Sequence, residues 1–141
     1  MLRVAGAVIL GLAAVDPAAA QESPLLGRWR TAVQGGVVEI HRCGAALCGR
    51  VVDAARLRRN PDQTDVRNPD PALRSRPLRG LRVLDDFTGG PTTWSGGSLY
   101  DPASGQRAGR GSLTLVEGGR LSVRGCIAPL MCRTQTWTRS P

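Results

Sequence analysis

The chain has no lysine: all nineteen of its basic residues are arginine, set against eleven carboxylates for a net charge of +8. Aromatic residues are scarce at 4%, with one phenylalanine, one tyrosine and three tryptophans, and there is one histidine. The longest apolar run, Val4 to Val15, falls short of the roughly twenty residues a spanning helix needs. Each scarcity excludes something. Any Ser-His-Asp arrangement would need His41, which pattern places on the outer face of a strand near Glu39 and opposite Arg50, in a solvated polar cluster. No catalytic residue is therefore assigned, and the chain does not read as an enzyme. Without aromatics interleaved among the arginines there is no stacking platform for nucleic acid. With so little aromatic bulk the core must be small and lean partly on covalent staples.

What is present sets the compartment. Met1-Leu-Arg3 is a short positive segment, Val4 to Val15 has the length of a signal core, and Ala18-Ala-Ala20 supplies small residues before a cut. Residues 1–20 are expected to be a cleaved leader, and the remaining 121 of 141 residues form one domain that is periplasmic or secreted. No second apolar run predicts a transmembrane span in the mature protein. The arginine bias fits a GC-rich genome, and it also suits anionic partners, because a guanidinium forks carboxylates and phosphates.

Four cysteines in an exported chain indicate disulfides rather than metal or redox chemistry. Three connectivities are possible. Cys43-Gly-Ala-Ala-Leu-Cys48 and Cys126-Ile-Ala-Pro-Leu-Met-Cys132 both look like strand ends around a short turn, so pairing within each hairpin is expected. Each such closure contributes about 2 kcal/mol in the chain-entropy model. No metal and no cofactor is expected.

From Gln21 the pattern alternates with period two and breaks at Gly, Pro and Asp every eight to twelve residues, which reads as all-β. The expected strands are Leu26–Gln34, Val37–Cys43, Leu47–Ala54, Leu81–Phe87, Thr93–Tyr100, Ala108–Val116, Arg120–Gly125 and Arg133–Arg139. Eight strands joined mostly by hairpins suit a small up-and-down antiparallel barrel. If Cys43 faces Cys48, Ile40 faces Val51 and His41 faces Arg50. A three-residue loop, Glu117-Gly118-Gly119, sets Leu113 against Val123 and Leu115 against Leu121. If Cys126 faces Cys132, Leu121 meets Trp137 and Val123 meets Gln135. Asp85 and Asp86, being adjacent in a strand, should point to opposite faces, which separates them as an acid/base pair.

One segment breaks the strand pattern. Asp65 to Gly80 carries Pro69, Pro71 and Pro77, which remove backbone donors and restrict their neighbours, so it must be a long loop or lid. Asn68, Asp70, Arg74 and Arg76 lie within it. Arg56, Arg58, Arg59, Arg67, Arg79 and Arg82 lie in or beside it, interrupted by Asp53, Asp62, Asp65 and Asp70. Internal salt bridging is the favoured account of these charges, and an anion-binding surface is the alternative. Asp62, Asp65, Asn68 and Asp70 supply oxygen ligands, but their spacing does not match an EF-hand and Asx-Pro starts are ordinary turn chemistry.

At the chain ends, Gly27-Arg-Trp29 opens the first strand and Trp137-Thr-Arg139 closes the last. In a barrel these strands pair and bring Arg139 to Trp29, which resembles the lipocalins and other calycins, where an arginine from the last strand covers a Gly-x-Trp on the first. Such a contact contributes about 0.5–2 kcal/mol. A broader resemblance runs through Leu47-Cys-Gly-Arg-Val51, Asn68-Pro-Asp-Pro-Ala-Leu-Arg-Ser-Arg-Pro-Leu-Arg-Gly80, Trp94-Ser-Gly-Gly-Ser-Leu-Tyr-Asp-Pro-Ala-Ser-Gly105, Leu121-Ser-Val-Arg-Gly125 and Gln135-Thr-Trp-Thr-Arg139. In that order they resemble the bacterial exported family known as domain of unknown function 2147. The resemblance implies a small barrel of the envelope and no catalytic residues. Arg107-Ala-Gly-Arg-Gly111 departs from that pattern, so this edge is expected to be weaker.

These readings lead to two functional expectations. In one, an inward rim of Thr31, Trp94, Arg133 and Gln135 receives a small hydrophobic, lipid-like or anionic ligand beneath the loop. In the other, the barrel is filled and the protein is an envelope component acting through its arginine-rich surface.

Overall fold

Period-two alternation between glycine-marked turns gives eight antiparallel strands whose spatial order is their sequence order, closed into a barrel. The strands are β1 (Gly27–Arg30), β2 (Val37–Cys43), β3 (Ala46–Asp53), β4 (Arg82–Gly89), β5 (Thr93–Asp101), β6 (Gln106–Val116), β7 (Arg120–Ala128) and β8 (Met131–Arg139). The structure, a computed structural model, describes residues 10–13, 23–33 and 35–141. The expected leader, apart from residues 10–13, and its cut after Ala20 lie outside the described residues. Among the described residues no helix is long and apolar enough to cross a membrane.

The barrel closes where β1 meets β8, through Trp29 opposite Arg139 and Arg30 opposite Thr138. The Arg139 guanidinium lies 3.9 Å from the centre of the Trp29 ring. It also donates to the carbonyls of Leu26 at 2.8 Å and Pro24 at 2.6 Å. Trp29 is fully buried and its indole N–H donates to the Leu25 carbonyl at 2.8 Å. The expected pairing of the two chain ends is therefore present, and it tethers the segment before β1 as well as the seam.

Both disulfides join the expected partners, Cys43 to Cys48 and Cys126 to Cys132. In β7–β8 the expected register holds, with Cys126 opposite Cys132, Val123 opposite Gln135 and Leu121 opposite Trp137. In β6–β7 the three-residue loop sets Leu113 against Val123 and Leu115 against Leu121. The β2–β3 register differs from expectation. Cys43 lies opposite Ala46, His41 opposite Cys48 and Glu39 opposite Arg50. The cause is a tighter, two-residue turn at Gly44-Ala45, with Gly44 at φ 72°. A slip of two preserves side-chain parity, so Ile40 and Leu47 still face the core.

Three further departures have local causes. The expectation that Asp85 and Asp86 point to opposite faces fails, because Asp86 takes φ 60° at a register shift between β3 and β4. Leu84 and Phe87 are then both buried, while Asp86 stays exposed and Asp85 pairs with Arg82 at 3.1 Å. The edge expected to weaken after Gln106 instead forms eleven-residue β6, with the irregularity absorbed by a bulge at Arg110, φ 50°. The β3–β4 connection contains a short helix, α1 (Ala55–Arg59), and a 3-10 turn (Pro71–Leu73) that the strand-like pattern does not announce. Asp70 caps that turn through Ala72 N–H, and Pro71 takes the first helical position, where no backbone donor is needed.

The chain's single phenylalanine, Phe87, is wholly buried because two glycines face each other beside it. A Cβ on Gly97 would lie 2.3 Å from the Phe87 ring and 2.5 Å from the Asp85 carbonyl oxygen, and one on Gly111 2.5 Å from Leu99 and 2.8 Å from the Phe87 ring. Gly97→Ala is expected to destabilise the fold by about 1–3 kcal/mol through overpacking. Urea unfolding should show Phe87→Leu recovering part of that loss in the double variant, while Gly96→Ala, with open space around its Cβ but φ +81°, gains no such recovery.

Candidate functional site

The two ends of the barrel are built differently. The turns β2–β3, β4–β5 and β6–β7 share one end with residues 23–26 and the C-terminus, and Trp29, Phe87, Leu113 and Leu121 fill the interior there. Trp94 belongs to this end, not to the expected ligand rim. Its indole N–H donates to the Pro91 carbonyl at 3.1 Å, and its ring packs against Gly90. Pairing of Trp94 with Leu113 and Gly89 places it near the β4–β5 turn, which is why it cannot reach the other end.

The opposite end holds the connections β1–β2, β3–β4, β5–β6 and β7–β8, and a cavity of about 530 Å³ runs inward from it. Its wall is apolar, formed by Val38, Val51, Leu84, Leu99, Val123 and Trp137. Thr31, Arg133 and Gln135, three of the four residues expected at the rim, do line it, joined by Arg56. The Thr31 hydroxyl is engaged with the Val33 carbonyl at 2.9 Å, shaping the β1–β2 connection. The Gln135 carbonyl accepts from the Trp137 indole at 3.0 Å, which orients both side chains. The Arg133 side chain makes neither an ion pair nor a hydrogen bond among the described residues. The site thus offers a greasy interior with a cationic group at its mouth.

The long β3–β4 connection covers part of this mouth. Leu57 of α1 and Leu78, both buried, are its large apolar contribution to the cavity wall, beside Ala54 and Arg56. Asn68, Asp70, Arg74 and Arg76, expected in the loop or lid, hold the connection together. Asp65 is fully buried, and its carboxylate accepts from the Tyr100 hydroxyl at 2.6 Å, Asn68 at 2.9 Å and Arg76 at 3.0 Å. Arg74 donates to the Asn68 carbonyl at 2.8 Å and Arg79 to the Val52 carbonyl at 3.1 Å. Arg67 donates to the Ala103 carbonyl on the β5–β6 turn. The favoured salt-bridge account therefore holds only in part. In this connection Arg58–Asp53 and Arg76–Asp65 are ion pairs, while Arg67, Arg74 and Arg79 bind backbone carbonyls.

Asp62, Asp65, Asn68 and Asp70 are not gathered around a common point: Asp65 and Asn68 turn inward to each other, while Asp70 caps the 3-10 turn. No group of metal-ligating side chains occurs among the described residues. His41 has its Nδ1 3.0 Å from the Arg42 carbonyl, and the outer-face ion pairs join Glu39 to Arg50 and Arg28 without it. Tyr100, Leu57, Leu78 and Arg56 were not foreseen at the site. The one available signal was that Tyr100 is the only tyrosine in the chain.

A family model described as "Uncharacterized protein conserved in bacteria (DUF2147)" matches residues 27–139, and the chain belongs to that family. Among solved structures, protein HP1028 of Helicobacter pylori, described as belonging to the lipocalin family, is similar with a TM-score of 0.71. The two share 21% identity over 85% of each chain, a likeness of fold. No curated protein matches this chain.

The Tyr100–Asp65 pair makes opposite demands on the two groups. Burial raises the Tyr100 hydroxyl, and the hydrogen bond to Asp65 raises it further, to about 12. Burial also pushes the Asp65 carboxyl up, but hydrogen bonds from Tyr100, Asn68 and Arg76 outweigh it and hold the group below the usual carboxylate value. Tyr100 binds its proton more tightly in the folded state, so its contribution is full below pH about 10 and is lost as pH rises toward 12. Asp65 binds its proton less tightly when folded, so its contribution is full above pH about 4 and is lost on acidification below that. Because there is one tyrosine, ultraviolet titration of the folded protein reports Tyr100 alone, and a midpoint near 12 is expected. Tyr100→Phe should remove the loss of stability between pH 10 and 12; a wild-type midpoint near 10 would contradict the buried pair.

Proposed function

We propose that this protein is a non-catalytic, exported binding barrel that takes a small lipid-like ligand with an anionic head. The observation that carries this reading is the 530 Å³ cavity, apolar within and bordered at its mouth by Arg133. An eight-stranded barrel has room for one small ligand when its own side chains do not fill it. An acyl chain against Val51, Leu84, Leu99 and Val123 would leave water, and a carboxylate or phosphate at the mouth would meet the Arg133 guanidinium and the Gln135 amide. The two disulfides support a home outside the reducing cytoplasm, in keeping with the leader expected over residues 1–20. The competing reading, an envelope protein with a filled barrel, requires an interior without such a space.

Two measurements test the proposal. A long-chain fatty acid should raise the melting temperature and change the emission of Trp137, which lines the cavity. Absence of both effects across fatty acids, phospholipids and isoprenoids would remove it. The head-group assignment is tested by comparing a fatty acid with the alcohol of the same chain length. Arg133→Gln should weaken the acid by about tenfold and leave the alcohol unchanged.

A further inference from the structure

From Ser23 onward the exposed large apolar side chains are Val33, Val66, Leu73, Ile127, Leu130 and Met131. All six lie at the open end, on the β1–β2, β3–β4 and β7–β8 connections or the strand residues beside them. Among the described residues from Ser23 onward the filled end has none. The densest group is the β7–β8 tip, where Leu130 is 97% exposed, Met131 60% and Ile127 53%. Ile127 and Met131 also edge the cavity mouth, while Leu130 touches no part of the core, and the tip is braced. The Cys126–Cys132 bond lies directly behind it, and Ala128 pairs with Met131 across the turn.

The charge around these tips has one sign in excess. Residues 31–36, 53–81, 101–110 and 126–133 hold ten arginines and five carboxylates. Asp53 and Asp65 are paired with Arg58 and Arg76, which leaves eight arginines to three carboxylates. Arg110 shares a surface groove of about 250 Å³ with Ile127 and Pro129, so a cation stands beside the apolar tip. Arg133 stands at the other side of the hairpin, at the cavity mouth. Apolar tips ringed by arginine match an anionic bilayer surface, whose acyl boundary accepts the tips and whose phosphates meet guanidinium groups.

We infer that the open end of the barrel docks on an anionic phospholipid bilayer, with Leu130 and Met131 entering the acyl boundary and Arg110 and Arg133 at phosphate level. The cavity mouth then faces the lipid. This goes beyond the cavity reading, because docking holds whatever the cavity contains.

The test is flotation of the purified protein with vesicles of phosphatidylcholine alone and of phosphatidylcholine with phosphatidylglycerol. Binding is expected to be at least about tenfold stronger to the phosphatidylglycerol vesicles and to fall as salt is raised. The double variant L130D/M131D should lose at least about tenfold in binding, and R110E a comparable amount, with melting temperatures unchanged because these side chains are exposed. In L130W, emission should shift to the blue on phosphatidylglycerol vesicles and be quenched by brominated acyl chains. Equal binding to both vesicle types, full binding by L130D/M131D, or an L130W emission that vesicles do not move would each overturn the proposal. Fatty-acid binding measured without vesicles separates the two readings: if it is absent while flotation persists, the cavity reading falls and docking stands.

Discussion

The barrel exists because a very short seam closes. β1 has four residues, and two of them pair with β8. So small a ladder leaves most of the closing energy to side chains. Arg139 supplies it by stacking on Trp29 and by donating to two carbonyls of the segment before β1. One residue further on, the Ser140 N–H donates to the Arg28 carbonyl at 2.9 Å and extends the seam. An open sheet would expose two strand edges and would have no enclosed interior, so cavity, mouth and cover all presuppose this contact.

The aromatic scarcity seen in the composition acquires a second meaning once the aromatics are placed. Trp29, Phe87 and Trp94 are spent at the filled end, leaving Tyr100 and Trp137 beside the cavity. The rest of the cavity wall is built mainly from Val, Leu and smaller residues such as Thr31, Ala108 and Gly125. The shortage of large side chains and the open half of the barrel are therefore the same fact viewed from two sides. The proline-rich connection fits this division, since it brings Leu57 and Leu78 to the mouth while its polar residues bond to one another.

Most strand positions, both disulfides and two of the hairpin registers were legible because period-two alternation and cysteine spacing act locally, but β1, expected over Leu26–Gln34, stops at Arg30. The β2–β3 register was not, since a disulfide tolerates a diagonal pair and only the turn decides between registers of equal parity. The Asp86 bulge escaped for a similar reason: alternation carries no mark of where a strand inserts a residue. Thr31, Arg133 and Gln135 could be assigned to one end from strand direction. Trp94 failed because inward parity says nothing about depth along the barrel axis. The role of Asp65 was hidden as well, because its partner Tyr100 is 35 positions away and the two meet only after the connection folds back.

Cys132 belongs both to the brace behind the β7–β8 tip and to the cavity wall. That double membership ties the site to the history of the chain. The bond forms only where thiols are oxidised, so a newly made chain in a reducing compartment has a rim without its brace. The shape of the cavity wall at Cys132 is therefore tied to the oxidation state of that one bond.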